Sequence, residues 1–85
     1  MNNVILIGKI TSIGLNTISI LPTAHNDNNM SIDIEVPDMI YENLISVCNE
    51  GDVVGVKGYL QVEFGRIIII GEKISFLSAN NRRED

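Results

Sequence analysis

The stretch Met30-Ser31-Ile32-Asp33-Ile34-Glu35-Val36-Pro37-Asp38-Met39-Ile40-Tyr41-Glu42-Asn43-Leu44-Ile45-Ser46-Val47-Cys48 changes its hydrophobic period halfway along. Up to Val36 apolar and polar residues alternate, the pattern of a half-buried strand. Met30, Ile32, Ile34 and Val36 are expected on its core face, with Ser31, Asp33 and Glu35 outward. After Pro37 the apolar residues recur at i, i+4, i+7 and i+8, so Ile40, Leu44, Val47 and Cys48 form one stripe of a helix. Asp38 is expected to cap that helix, and Gly51 to stop it in a left-handed turn.

Working outward, the remaining segments read as strands. Their Ile and Val content favours a pleated, half-buried surface. Asn3 to Ile13 is one strand, apolar on both faces between Val4 and Ile7. Thr17 to Leu21 alternates and ends at Pro22, and Thr23 to Asn29 has the chemistry of a loop. Downstream, Asp52 to Glu63 and Arg66 to Leu77 form a hairpin around Phe64-Gly65. Val54, Val56, Leu60 and Val62 share one face of the first hairpin strand, and Ile67 to Ile70 is apolar on both faces of the second. The order is strand, strand, strand, helix, strand, strand. This is the order of an all-β, five-stranded Greek-key barrel with one helix between its third and fourth strands, the OB-fold. Residues 1–78 are expected to form that domain, and 79–85 a short polar tail.

The chain has 85 residues, 45% of them hydrophobic, which excludes a disordered segment but leaves only a small core. Six Lys and Arg stand against 11 Asp and Glu, a formal charge of -5, which argues against an indiscriminate polyanion binder. Aromatics are limited to Tyr41, Tyr59, Phe64 and Phe76. Cys48 is the only cysteine and belongs to the helix stripe, so a buried, inert thiol in a reducing compartment is expected. His25, in a polar loop with Asp27, does not make a metal site by itself. No catalytic triad, paired carboxylate or phosphate loop is present, and no signal peptide or membrane span. The expectation is a cytoplasmic protein that is not an enzyme, uses no cofactor, and meets no membrane or small-molecule substrate.

Three stretches carry a resemblance. Met1 to Thr11 (MNNVILIGKIT) is similar to the opening strand of the bacterial single-stranded-DNA-binding protein family. Gly51 to Gln61 (GDVVGVKGYLQ) resembles its fourth strand, and Gly71 to Ser78 (GEKISFLS) its end. The primosomal replication proteins, which share the fold, are a close relative. The resemblance implies a homo-oligomer, dimer or tetramer, that holds single-stranded DNA on the outer faces of its barrels in replication, repair or recombination. RNA belongs to the same reading, because the 2′-hydroxyl contact that separates the two is a matter of geometry.

Such binding joins a basic track for phosphates to aromatic platforms for bases. Lys57, Tyr59 and Phe64 match that chemistry, Lys9 falls where the family often carries a cation, and Arg66 and Lys73 add phosphate contacts. Tyr59 also reads as an ordinary strand residue, Phe64 as a cap on the barrel end, and each cation as a solvated strand charge. Phe76 is expected in the core, and Tyr41 at the surface. The resemblance also implies that Val4, Leu6 and Ile10 point inward, leaving Ile5 and Ile7 as an outward pair at a subunit interface.

The departures fall mainly on the third strand. Ser31 and Pro37 stand where the family has stacking aromatics, with Asp33 and Glu35 between them. The hairpin between the last strands is short, and Arg82-Arg83-Glu84-Asp85 is no counterpart of the family's long acidic tail. DNA binding is therefore expected to be weak, salt-sensitive and confined to the side of Lys9, Lys57, Tyr59 and Phe64. The alternative is a protein-interaction module that has lost the nucleic acid and meets a basic partner through Asp33, Glu35 and Glu63.

Overall fold

The computed structural model describes residues 2–23 and 30–79; the segment 24–29, with His25, and the tail residues 80–85 lie outside the described residues. Five strands and one helix follow in the order β1 (Val4–Gly14), β2 (Thr17–Pro22), β3 (Ile32–Glu35), α1 (Asp38–Val47), β4 (Val53–Glu63) and β5 (Arg66–Ser78). They close a barrel in the order β1-β2-β3-β5-β4. All pairings are antiparallel except β3 with β5, where Ile34 and Glu35 run parallel to Ile69 and Ile70. This is the OB-fold.

Closure depends on glycines where strands cross. Gly58 of β4 lies opposite Gly71 of β5, and a Cβ on Gly58 would collide with the Ile70 carbonyl oxygen. A Cβ on Gly8 would meet the Leu21 carbonyl oxygen in the same way. Beside the Gly58–Gly71 pair the β4–β5 register shifts, with Lys57 opposite Lys73. An extra residue on one strand bends it and sharpens its twist.

The core consists of Ile10, Ile18, Ile20, Ile34, Val36, Leu44, Cys48, Val54 and Val56, with Leu6, Ile32, Ile40, Tyr41, Ile69 and Ile74 packed against it. β-branched residues dominate it because it is built from the inner faces of strands. Helix α1 covers one end of the barrel through Ile40, Tyr41, Leu44 and Cys48.

Several expectations are corrected here. Met30 stands before β3 begins and is 66% exposed, outside the barrel wall. Val47, the last residue of α1, is 62% exposed because the buried stripe runs through Tyr41 instead. The residue at the helix cap is Pro37, with no side-chain cap; the Asp38 carboxylate instead accepts a hydrogen bond from Asn16 Nδ2 at 2.9 Å. Gly51 does adopt a left-handed φ of 96°, but in the turn after the helix, whose C-cap is Cys48.

Tyr41 is more than a surface aromatic: its hydroxyl donates to the Gly14 carbonyl at 2.6 Å. Asn16, at a positive φ of 56°, donates through Nδ2 to the Val36 carbonyl and accepts the Val36 amide on its own carbonyl, both at 2.9 Å. Together these bonds tie the β1–β2 turn to the start of α1.

Beyond Gly58 the hairpin outruns the barrel. Leu60, Val62 and Ile67 keep the inward phase of alternation but find no core to enter, so Val62 and Ile67 are about 70% exposed. Phe64 and Gly65 both take positive φ at the tip, the backbone of a tight hairpin turn, and Phe64 is 98% exposed. It caps nothing. Phe76 lies opposite Val54 yet is 48% exposed, because it borders the crevice between α1 and β5 instead of entering the core.

Candidate nucleic-acid interface

The outward faces of β1, β4 and β5 form one continuous surface. Ile5 of β1 is the register partner of Lys57 in β4, and Lys57 in turn is the partner of Lys73 in β5. One step along, Ile7 faces Gly55, and Gly55 faces Ser75. Because Gly55 carries no side chain, a shallow groove of about 300 Å³ opens here, bordered by Ile5, Ile7, Lys57, Lys73, Ser75 and Leu77. Ile5 is 72% exposed, Ile7 49% and Leu77 50%.

Alternation explains this arrangement. In β1 the even residues Leu6, Gly8 and Ile10 turn toward the core and the odd ones outward; in β4 Val54, Val56 and Gly58 turn inward. Two lysines are therefore cross-strand partners on a protein of net charge -5, with the exposed Glu72 next to Lys73 in sequence. No carboxylate lines the groove among the described residues. Like charges directly opposite in a sheet destabilise it, so the pair costs the fold something.

Tyr59 follows Lys57 on the same side of β4, half-buried, opposite Ile70. Lys9 is exposed farther along β1, between Leu21 and Val53, ~13 Å from the Ile5 position by strand rise. Arg66 and Phe64 belong elsewhere, at the hairpin tip. They share a small concavity of about 100 Å³ with Glu35, Glu63 and Ile68, so Arg66 stands among carboxylates.

Of the six residues that sequence reasoning assigns to nucleic acid, the structure thus brings together Lys57, Lys73 and Tyr59. It leaves Lys9 along the strand and separates Phe64 with Arg66. Gly55, Ser75 and Leu77 were missed; the signal for Gly55 was its place two residues before Lys57, on the same face. The structure also puts Ile5 and Ile7 on the lysine face.

On β3, Asp33 and Glu35 are exposed and form an acidic face. Asp33 accepts a hydrogen bond from Ser19 Oγ of β2 at 2.7 Å, and Thr11 and Ser31 hydroxyls lie 3.1 Å apart nearby. The acidic face adjoins the basic one, because Glu35 is the register partner of Ile70, and Ile70 in turn of Tyr59. Cys48 is buried beneath α1, where desolvation, and secondarily the Asp52 carboxylate, push its thiol pKa above the ordinary value. No cluster of three or more His, Cys, Asp or Glu suited to a metal ion occurs among the described residues, nor does any helix there long and apolar enough to cross a membrane.

No family model matches the chain, and no curated protein matches it in sequence. Solved structures do resemble it, at low identity, and the class they share is the OB-fold. One is the mitochondrial single-stranded DNA-binding protein Rim1 of S. cerevisiae, with a TM-score of 0.78 at 17% identity, covering 94% of this chain and 97% of that one. Another is the dimeric N-terminal domain of PriB from Thermoanaerobacter tencongensis, with a TM-score of 0.66 at 18% identity, covering 89% and 96%. A third is the OBody NL8, solved bound to hen egg-white lysozyme, with a TM-score of 0.65 at 18% identity, covering 92% and 96%.

Proposed function

We propose that this chain is a non-enzymatic, cytoplasmic single-stranded DNA-binding protein that acts as a homo-oligomer in DNA replication, repair or recombination. The observation that carries the reading is the Lys57–Lys73 pair. Two cations are held side by side with Tyr59 next on the same strand, on a chain otherwise rich in carboxylates. Phosphates would meet the two ammonium groups while a base stacks on Tyr59, with Lys9 extending the track. Phe64 offers a second, outlying aromatic at the hairpin tip, and Arg66, set among Glu35 and Glu63, contributes least. The aliphatic face of Ile5 and Ile7 serves self-association.

The fold's occurrence in Rim1 and PriB supports the reading at the level of architecture. Fluorescence anisotropy of labelled oligo-dT tests it. Binding should appear at low salt, weaken steadily as salt rises, and fall in Lys57→Glu. No signal at low salt with tens of micromolar protein would end it.

A second reading is a protein-interaction module using Asp33 and Glu35, and the OBody bound to lysozyme favours it to the extent that this barrel can present a protein-binding face. Its mark would be a basic partner lost on charge reversal of Asp33 and Glu35, with no affinity for oligo-dT.

A further inference from the structure

We infer that the surface around Tyr59 reads the base stacked on it: the Glu35 carboxylate, two strands away, selects bases that offer hydrogen-bond donors side by side, guanine first, over thymine. The inference rests on the single-stranded DNA reading above and assigns its base preference.

The placement comes from the register. Tyr59 of β4 is the partner of Ile70 in β5, and Ile70 is the partner of Glu35 in β3, so the three stand in one row across the sheet. Their neighbours fix the outward phase. Gly58 and Gly71 are buried beside Tyr59 and Ile70, and Ile34 and Val36 are buried on either side of Glu35. On the far side of Tyr59 the β1–β4 register ends at Val4 and Gly58, so the row continues across β5. Two strand spacings put the Cα positions of Tyr59 and Glu35 ~10 Å apart, with the aliphatic Ile70 between them. A base stacked on the Tyr59 ring and resting on Ile70 therefore turns one edge to Glu35.

The phosphate of the same nucleotide falls to Lys57, two residues before Tyr59 on the same face of β4. By strand rise and spacing the diagonal from Lys57 to Glu35 is ~12 Å. That is about the reach of a nucleotide from its phosphate to the pairing edge of its base. The cation and the carboxylate also orient the nucleotide, because the reversed arrangement would set phosphate against Glu35.

Base edges differ in what they offer that carboxylate, which when ionised only accepts hydrogen bonds. Guanine presents N1–H and its N2 amino group side by side, a match for both oxygens. Cytosine and adenine present one amino group beside a ring-nitrogen acceptor. Thymine presents a single N3–H flanked by two carbonyl oxygens, which repel the carboxylate. Glu35 is free for this role: it is exposed and enters no hydrogen bond or ion pair among the described residues, whereas Asp33 already accepts from Ser19 Oγ.

Fluorescence anisotropy of the full chain at low salt tests this with three labelled strands: oligo-dT, the same strand with every third base guanine, and the latter with hypoxanthine for guanine. Hypoxanthine keeps N1–H and lacks the amino group. Wild type should bind the guanine strand about fivefold or more tightly than oligo-dT, and hypoxanthine should lose most of that advantage. Glu35→Gln should erase the advantage and raise affinity for oligo-dT, since the amide keeps one acceptor and carries no charge. Asp33→Asn should keep the preference. A carboxylate that merely repels phosphate would, once removed, raise both affinities alike and leave their ratio unchanged. Equal binding of the guanine strand and oligo-dT by wild type, or a preference unchanged by hypoxanthine or by Glu35→Gln, overturns the inference and leaves the DNA-binding reading standing. Binding of none of the three strands at tens of micromolar protein ends both.

Discussion

Ile5 and Lys57 are register partners across β1 and β4, an aliphatic side chain and an ammonium projecting side by side from one outward surface. Whatever covers the first must come to terms with the second. The functional account of the chain turns on this adjacency and on the Lys73 that stands on the far side of Lys57.

Neutralising the lysines should separate binding from folding. In Lys57→Gln/Lys73→Gln the slope of log affinity for oligo-dT against log salt should flatten by ~1.4, two phosphate contacts at ~0.7 each. Thermal stability should hold or rise, since a directly opposed like-charge pair is worth ~0.2–1 kcal/mol when relieved. Anisotropy across a salt series and a melting curve read the two effects.

Tyr59→Ala should weaken oligo-dT binding by ~1–3 kcal/mol while leaving the salt slope unchanged, because stacking involves no counterion release. Tyr59→Phe should keep most of the affinity. A wild-type-like Tyr59→Ala would mean that the ring serves only its cross-strand contact with Ile70.

Glycine substitutions should divide sharply by position. At Gly58 a Cβ meets the Ile70 carbonyl oxygen of the backbone, which cannot step aside, whereas at Gly55 it meets only Leu77 Cδ1 at 3.6 Å, an ordinary contact. Gly58→Ala should cost ~1–3 kcal/mol or more, and Gly55→Ala little. For a chain this size each kcal/mol lowers Tm by ~4–8 °C, so the contrast is visible in a melting curve.

Tyr41→Phe removes the hydrogen bond to the Gly14 carbonyl. The loss should be ~0.5–1.5 kcal/mol of stability, measured by urea denaturation, with oligo-dT binding per folded molecule unchanged.

The Cys48 thiol binds its proton more tightly in the folded state, through burial and then Asp52. Its contribution to stability is therefore complete below the unfolded thiol's pKa of ~8.5 and is lost as pH rises through the higher folded value. Iodoacetamide should alkylate the native protein slowly, with a pH profile displaced upward from that of the urea-unfolded chain.

Much of the barrel was legible because short periods report local geometry. Ile32, Ile34 and Val36 turn inward as their alternation requires, and Leu44 and Cys48 fall on the buried stripe of α1. Val62 and Phe76 fall short of expectation for different reasons. Val62 has the right phase, but alternation cannot tell where the barrel stops and the hairpin runs on into water. Phe76 lies within the barrel's length, opposite Val54, and borders the crevice beside α1 instead of entering the core. Asn16 gave no local sign of its role, since its partners at Val36 and Asp38 lie twenty and more residues away in sequence. For the site, chemistry pointed to Lys57 and Tyr59. Only the closed register brought Lys73 and Ile5 to the two sides of Lys57, and moved Arg66 among carboxylates.

Titration of the isotope-labelled protein with oligo-dT, followed through backbone amide resonances, tests the central claim most directly. Shifts concentrated at Ile5, Ile7, Gly55, Lys57, Tyr59 and Lys73, with Asp33 and Glu35 little moved, are the predicted result. Saturating shifts confined to β3, or none at low salt, would contradict it.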